Sequence, residues 1–213
     1  MKIKKFGHCC LVIETKGKRI LTDPGSYSTT QDEEKNIDII LITHEHPDHL
    51  HVDSLKKVLL NNPGAIVITN NAVGKLLDPE GISYQIVEHA GNATIADILF
   101  EGFGELHQVI YQDFGRVQNT GYFIDNKLFY PGDAFTDPKK AVDVLALPVA
   151  GPWMKISEAI EYALMLKPRV VFPVHDGMLE DGKLGPVHRL PGAVLPEHNI
   201  EFIIIAEGEE KDF

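Results

Sequence analysis

Residues 38–50 read D-I-I-L-I-T-H-E-H-P-D-H-L, and this stretch decides the fold. The apolar run at residues 39–42 is short and β-branched, which predicts a buried strand rather than a helix. Three histidines and an aspartate follow it directly: His44, His46, Asp48 and His49. Such a density of imidazole and carboxylate groups after a strand is typical of a metal site, whereas a polar loop capped by Asp48 is the alternative.

Pro47 divides this group into two pairs. A residue that precedes proline is driven out of the α region, so we expect His46 to be extended and to share one face with His44. A turn at the proline would then direct Asp48 and His49 towards a second point. Two pairs of ligands predict two metal ions a short distance apart.

The composition of the 213 residues, 44% hydrophobic and 24% charged, predicts a soluble globular protein with one domain over residues 1–213. The net charge of −11 disfavours nucleic acid as a partner, because phosphate binding draws on clustered Lys and Arg. No apolar run approaches the ~20 residues that cross a bilayer, and the N-terminus lacks the pattern of a secretory signal. The adjacent Cys9 and Cys10 would pack on opposite faces of a strand, which fits a reducing cytoplasm.

Hydrophobic periodicity predicts hairpins followed by β-α-β units in each half of the chain. This rhythm favours two packed sheets with helices outside over a doubly wound sheet. We expect Asp53 or Ser54 to cap a helix, and a Pro/Gly-rich stretch at residues 181–199 to fold over the site. The predicted strands are 2–14, 19–22, 38–42, 65–69, 82–87, 142–147, 169–174 and 201–206; the predicted hairpin is 121–133, with its turn at Asp125-Asn126, and the other predicted helices are 72–77 and 156–167.

Residues 44–49, H-E-H-P-D-H, resemble the His-x-His-x-Asp-His signature of the metallo-β-lactamase-fold hydrolases. The resemblance implies an α+β fold, a four-layer αββα sandwich in which two mixed sheets pack face to face with helices outside. G-H-C-C-L-V-I-E at 7–14 is similar to the opening of the subgroup that includes L-ascorbate 6-phosphate lactonase and N-acylphosphatidylethanolamine phospholipase D. The family's other motifs are matched by T-D-P at 22–24, P-G-D at 131–133, L-P-V-A-G at 147–151 and P-V-H-D-G at 173–177.

The resemblance also implies the rest of the ligand set. His107 would complete a first triad with His44 and His46, and Asp133 would bridge the two metals. His175 would join Asp48 and His49 on the second metal. For these added residues, a strand-end histidine bonded to a carbonyl and a turn-capping aspartate are the alternatives.

Further candidates lie around this set. Asp23 would orient a ligand histidine, unless it only forms an Asp-Pro-Gly turn. His8 would line the pocket or be a core histidine, and His188 would contact the substrate. We expect Trp153 to pack against the helix at 156–167 rather than to line the pocket.

The two cations, zinc first with Mn or Fe as alternatives, would supply a metal-bridging hydroxide and polarise the attacked bond. Asp48 would both bind metal and orient that hydroxide as a base, so no serine or cysteine nucleophile is needed. We expect a metal-dependent hydrolase acting on a small-molecule ester, lactone or phosphodiester, with homo-oligomerisation left open. The alternatives are a single-iron oxygenase that uses the first triad and a non-catalytic metal-binding regulatory module.

Overall fold

The computed structural model describes residues 1–28, 30–180 and 182–213. Within these residues the strands form two seven-stranded sheets. The strands are β1 (Lys2–Gly7), β2 (Cys10–Thr15), β3 (Lys18–Thr22), β4 (Ile39–Leu41), β5 (Ile66–Thr69), β6 (Tyr84–Ile86), β7 (Asn92–Ile95), β8 (Ile98–Phe103), β9 (Gly121–Ile124), β10 (Leu128–Tyr130), β11 (Val144–Pro148), β12 (Val170–Val174), β13 (Glu201–Phe202) and β14 (Glu210–Asp212). The helices are α1 (Val52–Asn61), α2 (Asn71–Leu77), α3 (Ile156–Leu166) and α4 (Gly185–Val194), with 3₁₀ turns at Thr30–Glu33, Asp78–Glu80 and Leu195–His198.

The two sheets have the same arrangement of antiparallel and parallel strands. The first has the order β14-β1-β2-β3-β4-β5-β6, and the second has the order β13-β12-β11-β10-β9-β8-β7. In each sheet, antiparallel hairpins lead into a parallel half that begins at β3–β4 or at β10–β11. The four α-helices connect β4 to β5, β5 to β6, β11 to β12 and β12 to β13, which are parallel pairs.

Apolar side chains from both sheets form the central core, which includes Leu11, Phe100 and Phe172, each fully buried. A second core lies between the first sheet and α1 and α2, and a third lies between the second sheet and α3. Helix, sheet, sheet and helix therefore make four layers, and the predicted αββα sandwich is confirmed. None of the described helices is long and apolar enough to cross a membrane.

The predicted single strand 2–14 is wrong, because the chain reverses between β1 and β2. Gly7 has φ 124° and His8 has φ 48°, so the backbone makes a tight turn there and Gly7 pairs with Cys10. Glycine tolerates such a conformation without steric cost. The predicted turn at Asp125-Asn126 is confirmed, since both residues have positive φ and β9 pairs antiparallel with β10.

The C-terminal third also differs from the prediction. The strand expected over 201–206 is only β13, and the charged edge strand β14 follows it. The Pro/Gly-rich stretch contains α4, with Pro191 inside the helix, although Asp181 lies outside the described residues. The N-cap of α1 is His51, two to three residues earlier than predicted, and its Nδ1 lies 3.0 Å from Ser54 Oγ.

Candidate metal centre

The candidate residues follow strands that end at one edge of the sandwich. Asp23 follows β3 and His44 lies just beyond β4, and these two strands run parallel. Asp133 comes after β10 and His175 after β12, in the parallel half of the second sheet. Because parallel strands present the same ends to the same edge, both sheets deliver polar groups to one place.

The structure brings all seven predicted ligands together. The first group has nitrogen atoms within 4.8 Å of one another and consists of His44, His46 and His107. In the second group, Asp48 Oδ2 lies 3.5 Å from His175 Nε2 and 4.0 Å from His49 Nε2. His46 and Asp48 are half-buried, and the other members are almost fully buried.

Asp133 lies between the two groups. Its Oδ2 is 3.2 Å from His107 Nε2, in the first group, and 2.8 Å from His175 Nε2, in the second. Its Oδ1 is 3.1 Å from His49 Nε2. One carboxylate thus contacts both groups, which is the position that a bridging ligand would need.

Several of these buried atoms lack a hydrogen-bond partner among the described residues. They are His44 Nε2, His49 Nε2, His175 Nε2 and Asp133 Oδ1. His49 Nε2 lies 3.1 Å from Asp133 Oδ1 and His175 Nε2 lies 2.8 Å from Asp133 Oδ2, but neither nitrogen has a hydrogen-bond partner among the described residues. A buried polar atom without a partner costs about 1–3 kcal/mol, and a cation held by their lone pairs would remove that cost. A mixed imidazole and carboxylate set suits Zn, Mn or Fe, so the residues fit the metal that the family implies.

The electrostatics favour neutral imidazoles at His44 and His46 and ionised carboxylates at Asp48 and Asp133. Burial lowers the pKa of His44 well below its usual value and also lowers that of His46, so each neutral ring has a lone pair on one nitrogen for a cation. Burial alone would raise the pKa of Asp48, but the hydrogen bond from His8 and the charge of His49 outweigh it and lower that pKa to about 2. The pKa of Asp133 is likewise held well below its usual value, since His49 and His175 outweigh its burial.

The site stabilises positive charge at His49. Burial would lower the pKa of this imidazole, but the charges of Asp133 and Asp23 outweigh it and raise that pKa well above its usual value. A proton or a metal ion on His49 Nε2 would each meet this demand.

Asp23 orients His49 through a buried hydrogen bond. His49 Nδ1 donates to Asp23 Oδ2 at 2.7 Å, which directs Nε2 into the site. The hydroxyls of Tyr130 and Thr43 also donate to Asp23 Oδ2, at 2.6 and 2.8 Å. The Asp-Pro-Gly turn forms as well, because Gly25 N donates to Asp23 O at 2.8 Å.

Backbone and hydroxyl partners orient two other histidines in the same way. His44 Nδ1 lies 3.0 Å from Thr43 Oγ1, and His107 Nδ1 lies 2.5 Å from Gln108 O. Both imidazoles therefore turn Nε2 towards the site. Such outer contacts are typical of metal-binding histidines.

Sequence analysis did not assign two residues that hold Asp133. Trp153 Nε1 donates to Asp133 Oδ2 at 2.8 Å, so this indole contacts the site, whereas we expected it to pack against the helix at 156–167. Asn119 Oδ1 accepts from Asp133 N at 3.0 Å, and its amide donates to Pro131 O at 3.0 Å. Trp153 follows the end of β11 in the L-P-V-A-G-P-W stretch. Its position after a strand end is the feature of the sequence that could have identified it as a site residue.

The two cysteines face opposite sides of the first sheet, as predicted. Cys9 belongs to the central core and Cys10 to the core beneath α1. The Cys9 thiol lies within 4.8 Å of ligand atoms of His8, His49 and His175. Burial raises the pKa of Cys9 to about 12, so the thiol stays protonated.

His8 and His188 line one cavity of about 300 Å³ beside the second group. His8 Nε2 is 3.1 Å from Asp48 Oδ2, and its ring centroid is 4.1 Å from that of His175. Burial lowers the pKa of His8 to about 4, so the neutral ring donates to Asp48 through Nε2. His188 Nε2 contacts Asp176 Oδ2 at 2.8 Å, away from the predicted ligands.

Comparison with known proteins agrees with this geometry. Residues 2–175 match the model of the beta-lactamase superfamily domain. The Mycobacterium tuberculosis protein Rv0786c is 33% identical over 211 residues, which cover 93% of this chain and 98% of the relative. A UPF0173 metal-dependent hydrolase of Geobacillus is 30% identical and covers 82% of this chain and 85% of its own. A Parabacteroides distasonis structure, described as a candidate metal-dependent hydrolase, has a TM-score of 0.78 at 26% identity and covers 95% of this chain and 91% of its own. The chain belongs to the beta-lactamase superfamily, with the UPF0173 proteins among its relatives.

Proposed function

We propose that this chain is a metal-dependent hydrolase that holds two divalent cations, zinc first, and cleaves a small ester, lactone or phosphodiester. The observation that carries the proposal is the convergence of buried imidazole and carboxylate atoms that lack hydrogen-bond partners among the described residues. Relatives named as metal-dependent hydrolases support it. The narrower resemblance to the lactonase and phospholipase subgroup remains a prediction.

Each cation has its own candidate ligands. The candidate ligands of the first cation are His44, His46 and His107. The candidate ligands of the second cation are Asp48, His49 and His175. Asp133 is a candidate ligand of both cations. Cations held there would lower the pKa of a bound water and polarise the bond to be cleaved.

Asp48 is suited to orient the attacking water. Its side chain is 19% exposed, whereas that of Asp133 is 3% exposed, so Asp48 is the acid of the site that a substrate can approach. Its low pKa keeps it ionised at neutral pH, and His8 holds its Oδ2 through a hydrogen bond. We therefore assign the base role to Asp48, with His8 as its positioning residue.

The side chains that could replace water as the nucleophile are poorly placed. Cys9 is 2% exposed and its pKa is raised to about 12, so little thiolate exists at neutral pH. Thr43 is fully buried, and its hydroxyl donates to Asp23. Direct attack by water therefore fits the site better than a covalent intermediate on either residue.

The proposal is tested by metal-reconstituted protein assayed against simple esters, lactones and nitrophenyl phosphodiesters. We expect turnover of at least one class, and we expect Asp48→Asn to lower it by about 10²–10⁴-fold while the fold is retained. The matched control is Asp97→Asn, because Asp97 is exposed in the β7–β8 turn. Full activity of Asp48→Asn would refute the assigned base.

Two other experimental outcomes would support a different function for this chain. A single bound iron together with oxygen uptake would identify an oxygenase that uses the first triad. Stable binding of metal with no turnover of any class would favour a regulatory module.

A further inference from the structure

The cavity beside Asp48 is built from segments that meet only in the folded chain. β1 supplies Lys5, α4 supplies His188, and the segment after β13 supplies Ile204 and Glu207. His8 lies on its wall and contacts Asp48 at 3.1 Å. A group that occupies this cavity would therefore lie against His8, the residue that holds the carboxylate to which we assign the base role.

The cation of the cavity is already paired. Lys5 Nζ donates to Asp176 Oδ1 at 2.6 Å and to Pro173 O at 3.0 Å. The side chains of Lys5 and Asp176 are only 5% and 6% exposed. If the ammonium moved away from Asp176, the buried carboxylate would lose its partner, and a buried charge without a partner is costly. Lys5 is therefore a poor partner for an anionic ligand.

His188 depends on the same carboxylate. Its Nε2 lies 2.8 Å from Asp176 Oδ2, while Lys5 compensates the charge of Asp176. A neutral imidazole that donates through Nε2 keeps a lone pair on Nδ1. No residue that the structure describes makes a hydrogen bond to that Nδ1, so His188, a lining residue of the cavity, keeps an unused acceptor.

Glu207 adds a negative charge at the same place. A Cβ atom placed on Gly7 would lie 3.5 Å from the carboxylate carbon of Glu207, so this acid lies against the turn that precedes His8. In the described parts of the chain, no basic side chain lies within 4.0 Å of it. With Lys5 and Asp176 balanced, the charged residues lining the cavity sum to one negative charge, which the exposed Glu207 carries and which disfavours an anionic group beside it.

We propose that this cavity is a substrate subsite that accepts an uncharged group bearing hydroxyl or amide hydrogens. His188 accepts a hydrogen bond from that group, and Glu207 discriminates against anions. This inference deepens the proposed hydrolase and rests on it, since the occupant would be part of the molecule that the site cleaves. It disfavours substrates that would place a phosphate in this cavity.

The test uses ligands that bind but resist hydrolysis. Two 3-acylamino-2-pyrrolidinones are compared, with acyl chains that end in a carboxamide or in a carboxylate of nearly the same shape. Isothermal titration calorimetry with the metal-reconstituted protein measures both dissociation constants. We expect the carboxamide to bind about tenfold more tightly. Equal or tighter binding of the carboxylate, or binding of neither compound, would overturn the subsite.

Two pairs of variants test whether His188 and Glu207 cause the preference for the carboxamide over the carboxylate. His188→Phe removes the acceptor and should weaken carboxamide binding about tenfold, whereas His198→Phe alters an exposed histidine and should not. Glu207→Gln should tighten carboxylate binding, and Glu197→Gln, also at an exposed acid, should not. Equal behaviour within either pair would contradict the role given to that residue.

The corresponding lactones separate this inference from the proposed function. If the lactams show the expected preference but no lactone, ester or phosphodiester is hydrolysed, the hydrolase is refuted and the cavity stands as a binding site for an uncharged group. If substrates are hydrolysed but the lactam preference is absent or reversed, the subsite is refuted and the hydrolase stands.

Discussion

At the scale of single residues, the site is built from strained backbone. Asp23, His8 and His175 have φ of 38°, 48° and 62°, a left-handed conformation that is uncommon for residues other than glycine. Such strain costs about 1–3 kcal/mol per residue and tends to occur at functional sites. Sequence could identify these residues as candidates from their motifs, but residue type alone could not predict that conformation.

We predict that Trp153→Phe weakens metal binding about 10–100-fold. The phenyl ring retains most of the packing against Phe135, but it cannot donate to Asp133 Oδ2. Competition against a metal-chelating dye measures the affinity.

Tyr162→Phe is the matched control, because Tyr162 belongs to the same aromatic cluster and its hydroxyl donates to Thr136 O instead. Unchanged metal affinity in Trp153→Phe would show that the indole only fills space.

At the scale of elements, the loop after β3 is joined to the loop that carries the motif. Ser26 N donates to Pro47 O at 2.8 Å, and His51 N donates to Pro24 O at 3.0 Å. Between them, Gly25 passes so close that an added Cβ would lie 1.8 Å from Asp48 O. The sequence predicted each loop separately, but local patterns carry no information on this contact.

We predict that Gly25→Ala lowers the free energy of unfolding by about 1–3 kcal/mol, because the added methyl group would push against backbone that cannot easily move. Urea denaturation measures the change. Gly64→Ala is the control, since an added Cβ there meets nothing within 4 Å. Equal stability of the two variants would contradict the close approach.

At the scale of the whole molecule, the features that could be predicted are those whose residues lie close together in the sequence. The two-sheet architecture could be predicted because hairpins and β-α-β units are local patterns that recur in both halves. Strand β14 could not, because its pairing of Lys2 with Asp212 joins charged segments from opposite ends of the chain. Four ligands could be predicted because histidines and an aspartate lie close together in residues 44–49. His107, Asp133 and His175 were identified only through the family resemblance.

We predict that Phe100→Ala lowers the free energy of unfolding by about 3–5 kcal/mol, since it would open a cavity between the sheets. The folded variant should retain its metal, because Phe100 contributes to the central core and not to the site. Phe114→Ala, at a side chain that is 77% exposed, should change stability little. Thermal unfolding and metal analysis of both variants check this.

The central claim is that two groups of ligands, joined by Asp133, hold two divalent cations. It is tested most directly by equilibrium dialysis against Zn²⁺ followed by elemental analysis of the protein. We expect two equivalents per chain in the native protein, about one in His107→Ala and in His175→Ala, and two in the control His198→Ala. A native protein that binds no divalent metal, or ligand variants that bind as much as it does, would contradict the claim.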